Sequence, residues 1–145
     1  MPDPVPTELP GGLDVLLIDG ALTAASTGAT FETLNPATEQ VLGVAADGTA
    51  QDMHAAIGAA RRAFDESDWS KDRAFRARCL RQLRDGLQSQ GGALRALTTA
   101  EAGAPAFLTA GPQFDAPVED LGYYADVAEQ YDGWTVDLGD RVSVG

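Results

Sequence analysis

The sequence predicts an α/β fold in which a small antiparallel β unit is followed by about four helices. Short β-prone runs separated by turn residues occupy the first 48 residues. From Thr49 onward, apolar residues recur every three or four positions, as amphipathic helices require. A length of 145 residues with 44% hydrophobic and 22% charged residues fits one modest globular core.

The β unit is predicted over residues 13–48. Its clearest turn is Asp19-Gly20, a pair typical of tight hairpins. A second turn must lie at Asn35-Pro36, because proline has no amide donor and biases the residue before it away from helix. The predicted strands are Val15 to Ile18, Ala21 to Ala24, Thr30 to Leu34 and Val41 to Ala45.

The first two helices are predicted from caps and apolar spacing. Thr49 and Asp52 resemble a capping box, in which a hydroxyl and a carboxylate bind the free amides of a helix start. Ser70 is the predicted N-cap of the second helix, and Gly91-Gly92 ends or kinks that helix. One apolar face consists of Met53, Ala56, Ile57, Ala60 and Phe64, and the next of Phe75, Cys79, Leu83 and Leu87.

Two more helices are predicted further along. Residues 93–100 form a shorter helix that stops at Gly103 and Pro105. Asp115 is the predicted cap of the last one, whose apolar face holds Val118, Leu121, Ala125 and Ala128.

Composition excludes several classes of protein. The net charge of −12 disfavours nucleic acid as a partner, because the phosphate backbone repels an acidic chain. No apolar run approaches a membrane span, and the proline-containing residues 1–12 read as a flexible tail and not as a signal peptide. The cytoplasm is the expected location. Residues 61–95 hold nine basic and five acidic residues, a pattern typical of a solvated helix face paired with nearby acids.

Two residues with reactive side chains have plain structural interpretations. Cys79 is the single cysteine, which rules out an internal disulfide. Its spacing from Phe75 and Leu83 predicts a packing role and not a catalytic thiol. His54 is the single histidine, and it is expected on the surface near a helix start.

Five segments of the chain form an ordered set that spans about residues 15–135. They are Leu17-Ile18-Asp19-Gly20, the strand and turn from Phe31 to Thr38, Ala59-Ala60-Arg61-Arg62-Ala63-Phe64 with Trp69-Ser70, Glu101-Ala102-Gly103-Ala104-Pro105, and Tyr123-Tyr124-Ala125 before Gly133. In order and spacing, these segments resemble the N-terminal segment of NAD(P)-dependent aldehyde dehydrogenases.

The resemblance implies an aldehyde-dehydrogenase-like fold and the oxidation of an aldehyde to a carboxylic acid with NAD or NADP. In that family a cysteine thiolate attacks the carbonyl, hydride passes to the nicotinamide, and a Glu-activated water hydrolyses the thioester. None of those residues can be assigned within this sequence, and no G-x-G-x-x-G motif is present. The 145-residue segment alone is therefore predicted to be inactive.

The resemblance also implies two peripheral sites. Backbone oxygens near Thr33 and Leu34, with Glu101, match positions that hold an alkali cation in some relatives. The alternative is that Glu101 only sits near a helix end, where it meets water or an arginine. Ala116 and Asp120 match the substrate entrance, where Asp120 would disfavour an anionic substrate, and ordinary helix surface is the alternative for both.

The implied organisation is a tail over residues 1–12, the β unit over 13–48, and a helical part over 49–145 that leads toward a nucleotide-binding domain. The implied partners are a small aldehyde and further copies of the chain in a dimer or tetramer. The alternative function is a non-catalytic oligomerisation or regulatory module derived from the same fold.

Overall fold

The computed structural model describes residues 14–131. It confirms the α/β class, with strand pairs followed by helices. The predicted tail and the residues beyond Tyr131, including Gly133, lie outside the described part. The elements are β1 (Leu16–Ile18), β2 (Ala21–Thr23), β3 (Thr30–Leu34), β4 (Val41–Ala46), α1 (Ala50–Glu66), a 3-10 turn (Asp68–Ser70), α2 (Arg73–Ser89), α3 (Gly91–Ala102), α4 (Ala106–Thr109) and α5 (Asp115–Gln130).

The strands pair as two separate antiparallel hairpins, β1 with β2 and β3 with β4. Asp19 and Gly20 have φ values of 54° and 75°, the left-handed conformation that a type I′ turn requires at both central residues. In the second hairpin, the Asn35 side chain accepts a hydrogen bond of 2.9 Å from the amide of Ala37. This bond fixes the predicted turn after β3.

The predicted capping box begins α1. The Thr49 hydroxyl accepts from the Asp52 amide, and the Asp52 carboxylate accepts from the Thr49 amide at 2.8 Å. The apolar face of this helix is not buried, however. Met53, Ile57 and Phe64 are exposed, and Ala59 is the buried residue of α1. The spacing predicted the helix correctly. Most of this face stays exposed, although Met53 and Ala56 line a shallow pocket with residues 16–18 of β1.

Two predicted caps are wrong. Ser70 ends the 3-10 turn, and α2 is capped instead by Asp72, whose carboxylate accepts from the Phe75 amide at 3.0 Å. Asp115 is the first residue of α5 and not its cap. Its carboxylate lies 2.5 Å from a guanidinium nitrogen of Arg95 and still places negative charge at the positive end of the helix.

The predicted end of α3 is confirmed, and one short helix was not predicted. Gly103 follows α3 with a φ of 66°, the left-handed conformation typical of a helix end. The four residues of α4 are too few to show a helical period in the sequence. Its last residue, Thr109, is buried, and its hydroxyl donates to the Ala106 carbonyl at 2.7 Å.

The closest helix packing in the described part is that of α2 against α5. The start of α2 meets the end of α5, because Arg73 donates to the Tyr131 carbonyl, so the two helices run antiparallel. Ala77 and Ala125 are each 0% exposed, and small side chains let two helix backbones approach closely. The buried apolar residues of the described chain are mostly alanines: Ala25, Ala59, Ala77, Ala100, Ala104, Val118 and Ala125.

Candidate functional site

The first predicted site begins in the β3–β4 hairpin. Thr33 is half-buried, and its hydroxyl donates to the Gly43 carbonyl at 3.2 Å. The register of the hairpin shifts between Thr33 and Leu34. A bulge of this kind interrupts the regular ladder and changes the direction of the backbone groups beside it.

The end of α3 lies against the turn that follows β3. A Cβ atom on Gly103 would stand 3.1 Å from Cγ of Pro36. Leu34 is two residues before Pro36, and Glu101 is two residues before Gly103. The end of α3 therefore lies close to the turn after β3, and Glu101 is exposed in the last turn of α3. Among residues 14–131, no three or more His, Cys, Asp or Glu side chains gather into a metal-binding group.

The second predicted site lies on the exposed face of α5. Ala116 and Asp120 are both exposed and one helical turn apart. Tyr123 and Tyr124 continue this face, and their rings meet edge to face with centroids 5.4 Å apart. We call this surface, Ala116 to Tyr124 on the side away from α2, the α5 outer face.

A group of hydrogen bonds around the Asp52 carboxylate, which was not predicted, joins the turn after β2 to the start of α1. Besides its cap bonds, Asp52 accepts from the Ser26 amide at 3.0 Å and from the Ser26 hydroxyl at 3.0 Å. The bond from the Thr49 amide, followed by the bonds from the Thr49 hydroxyl and from Ser26, lowers the pKa of Asp52 to about 2, against the opposing effect of burial. The capping box was readable in the sequence, but nothing local marked Ser26, 26 residues away.

The arginine-rich segment forms the paired surface that was predicted. Five of its arginines make ion pairs, and two others donate to backbone carbonyls. The hydrogen bonds that Arg81 donates to Asp126 and Glu129 raise the pKa of its guanidinium group. The pairs are Arg61 with Asp65, Arg62 with Asp19, Arg81 with Asp126 and Glu129, Arg84 with Asp85, and Arg95 with Asp115.

The two reactive side chains occupy structural positions. Cys79 is half-buried on α2, so it packs less deeply than its spacing predicted. The fully buried residue of that helix is Ala77, half a turn away. His54 is exposed on α1, as predicted. No helix within residues 14–131 has the length and apolar character needed to cross a membrane.

Large apolar side chains cover much of the described surface. Phe107 on α4 is 76% exposed and Tyr123 is 67% exposed. Aromatic side chains are usually much less exposed than this in a folded protein. The exposed set also includes Leu17, Leu22, Phe31, Leu34, Val41, Val44, Met53, Ile57, Phe64, Trp69, Leu83, Tyr124 and Val127.

Comparison with known proteins identifies the fold. The profile of the aldehyde dehydrogenase family matches residues 22–144. The mitochondrial benzaldehyde dehydrogenase of Antirrhinum majus is 34% identical over 124 residues, which are 85% of this chain and 23% of that protein. The mitochondrial aldehyde dehydrogenase of Homo sapiens is 35% identical over 111 residues, 75% of this chain and 22% of that protein.

The structural comparison agrees. The NAD+ complex of an aldehyde dehydrogenase from Bacillus cereus matches with a TM-score of 0.78 and 32% identity, over 89% of this chain and 26% of that one. The chain thus spans about a quarter of the length of the proteins that it matches. It belongs to the aldehyde dehydrogenase family and has the α/β fold of the family's N-terminal segment.

Proposed function

We propose that this chain is the N-terminal part of an oxidoreductase that converts an aldehyde to a carboxylic acid with NAD or NADP, through a cysteine thioester. The observation that carries the proposal is the family match over residues 22–144, with a solved NAD+ complex among the similar structures. We assign the nucleophile and the general base to residues outside this chain. Cys79 is half-buried on α2 at helical spacing with Phe75 and Leu83, which favours a packing role.

The chain's own residues do not fit a dinucleotide site. Its glycines form no G-x-G-x-x-G turn. Of the two glycines that begin α3, Gly91 is buried beside Arg95 and Phe114, and Gly92 has open space around it. A nicotinamide cofactor supplies the acceptor for hydride. We therefore assign its binding to the part of the enzyme that this chain does not represent.

The proposed role of the chain is structural and peripheral to the chemistry. The organisation follows the predicted division into a tail (1–12), a β unit (13–48) and a helical part (49–145). The exposed apolar faces of α1, α4 and α5 are the surfaces that we expect to meet the remaining fold and neighbouring subunits of a dimer or tetramer. We further propose a cytoplasmic location, which fractionation of the native cells would test.

Two sites are proposed on this framework. Thr33, Leu34 and Glu101 form an alkali-cation site, supported by the closeness of Gly103 to Pro36. Ala116 and Asp120 form one wall of the substrate entrance, supported by their joint exposure on the α5 outer face. The small side chain of Ala116 leaves space, and Asp120 favours neutral or cationic aldehydes over anionic ones.

A chimera tests the proposed function. This chain replaces the matching segment of the Bacillus cereus enzyme, and oxidation of benzaldehyde is measured with NAD+ and with NADP+. We expect the chimera to be active and the 145-residue chain to be inactive alone. A folded but inactive chimera would favour the alternative, a non-catalytic oligomerisation or regulatory module.

The same chimera tests the cation site. Glu101→Gln should weaken the dependence of activity on Na+ or K+ concentration. Glu119→Gln, an exposed carboxylate on α5, serves as the control. Equal salt profiles for the two variants would remove Glu101 from the site and return it to a helix-end role.

A further inference from the structure

Lys71 is the only lysine of the chain, which carries nine arginines. The difference between the amine of lysine and the guanidinium of arginine matters when an aldehyde is present. A primary amine condenses with a carbonyl compound to form an imine, whereas the guanidinium of arginine stays protonated and is not a nucleophile near neutral pH. A protein that meets aldehydes therefore presents a single reactive side-chain amine in this segment.

Lys71 stands at a defined place in the fold. It follows the 3-10 turn, and its backbone amide donates to the Asp68 carbonyl at 3.1 Å. Its side chain is exposed, and every ion pair found among residues 14–131 uses an arginine instead. No carboxylate in that part of the chain holds the Lys71 ammonium in an ion pair.

Lys71 lines a surface depression between two helices. The depression, of about 500 Å³, opens widely to solvent and is lined by Lys71, Asp72, Arg73, Ala74 and Glu129, and we call it the lysine concavity. The start of α2 supplies one side and the last turn of α5 the other. A lysine, two carboxylates and an arginine thus share one open space at the surface.

The charged groups of the lysine concavity are held in place by separate contacts. The Oδ1 atom of Asp72 accepts from the Phe75 amide, and the Oε2 atom of Glu129 lies 2.5 Å from a guanidinium nitrogen of Arg81. Among the described residues, no hydrogen bond is made to Oε1 of Glu129. One carboxylate oxygen of Glu129, a residue that lines the same cavity as Lys71, therefore accepts no hydrogen bond from the described residues.

We propose that the lysine concavity captures small aldehydes reversibly as an imine of Lys71. The inference rests on the proposed function for the presence of an aldehyde. Glu129 takes a proton from the ammonium group through one bridging water molecule. The free amine nitrogen then attacks the carbonyl carbon to give a carbinolamine. The proton then returns to the leaving hydroxyl group, which departs as water. In balance, one aldehyde and one ammonium group give one iminium group and one water molecule, and hydrolysis reverses the step.

Reductive trapping of the intact chain tests this proposal. The protein is incubated with benzaldehyde and cyanoborohydride, which reduces the imine to a stable secondary amine. Intact mass and peptide mapping then give the rate at Lys71. We expect a rate about tenfold or more above that of N-acetyl-lysine amide in the same buffer, a modest general acid–base effect. Lys71→Arg should abolish the side-chain adduct and leave only the α-amino adduct.

Matched carboxylate variants assign the effect to the lysine concavity. Glu129→Gln should lower the trapping rate toward that of the free amine. Glu119→Gln lies on the same helix but does not line this cavity, so it should leave the rate unchanged. A rate at Lys71 equal to the free amine, or equal effects of the two variants, would overturn the proposal. The readout needs no NAD(P), so a failure here is distinct from a failure of the dehydrogenase proposal.

Discussion

At the residue scale, a few side chains fix the positions of whole segments. Gly103 ends α3 in a conformation that other residues adopt at a cost, and it touches the turn after β3. Asp52 holds both the start of α1 and the turn at Ser26. Asp120 stands free on the α5 outer face, with no ion-pair partner among the described residues.

Gly103→Ala is expected to destabilise the chain by about 1–2 kcal/mol, because its φ of 66° strains any L side chain. The new methyl group would also stand 3.1 Å from Pro36. Urea unfolding followed by circular dichroism measures the change. Gly86→Ala is the control, because it lies within α2 with open space around it. The Gly86→Ala variant should gain about 0.5–1 kcal/mol in its free energy of unfolding. Equal effects of the two variants would contradict the strained, left-handed conformation of Gly103.

Asp52 gives a pH-dependent attachment of the β region to α1. Its folded-state pKa is lowered from 3.8 to about 2, so the bonds to Ser26 and Thr49 contribute fully above pH 4. The contribution is lost as the pH falls through 2. We expect protection of the Ser26 and Thr49 amides from hydrogen exchange to fall in that window. In Asp52→Asn the protection should be weak at every pH, whereas Asp120→Asn should behave as wild type.

Asp120 is expected to select the charge of the substrate in the active chimera. Asp120→Asn should raise kcat/KM for an anionic aldehyde, such as succinic semialdehyde, by about fivefold relative to neutral benzaldehyde, since about 1 kcal/mol of like-charge repulsion is removed. Betaine aldehyde, a cation, should change in the opposite direction. Glu119→Gln on the same helix is the control, and parallel changes for all three substrates would count against the proposed entrance.

At the element scale, the closest packing depends on small residues. The contact between α2 and α5 is built on alanines, with Gly122 leaving room for the Arg84 side chain. Ion pairs from Arg81 to Asp126 and Glu129 border it and fix which turns face each other. The large apolar side chains of α1 and of the α5 outer face lie outside this contact and are exposed in the described chain.

Ala77→Leu should separate α2 from α5 and cost about 1–3 kcal/mol, because a fully buried alanine leaves no space for three more carbons. Chemical denaturation measures the loss. Ala74→Leu, exposed one turn earlier on the same helix, should stay within about 0.5 kcal/mol of wild type. A larger loss from Ala74→Leu than from Ala77→Leu would refute the described packing.

At the scale of the whole molecule, the chain has little buried core and much exposed apolar surface. No large side chain in the described part is fully buried. The chain matches about a quarter of its relatives' length. Under the proposed function, these exposed apolar surfaces are where we expect the rest of the enzyme to pack.

The isolated chain is expected to self-associate through these surfaces. Sedimentation velocity should show an average mass that rises above 15.1 kDa with concentration. The double variant Met53→Glu with Ile57→Glu should reduce the association, because it places charge on the exposed apolar face of α1. Gln51→Glu adds charge on the opposite side of that helix and should change little. A monodisperse monomer that melts sharply would contradict the expectation.

The sequence by itself determined the local elements and the family. Asp19-Gly20, the capping box at Thr49 and the stop at Gly103 act through neighbouring backbone groups, so their residue types are sufficient to predict them. The sequence did not predict α4, because four residues are too few to show a helical period. It also did not distinguish Asp72 from Ser70 as the cap of α2. The spacing of apolar residues along each helix also predicted which side of that helix is apolar.

Only the tertiary structure decided which residues meet across the chain. The bond from Ser26 to Asp52, the meeting of Gly103 with Pro36, and the shared cavity of Lys71 and Glu129 join residues that lie far apart in sequence. It also decided that the apolar face of α1 is exposed while Ala77 and Ala125 are buried. Spacing states that a face is apolar, but burial depends on which other element packs against it, and that choice is made by the whole fold.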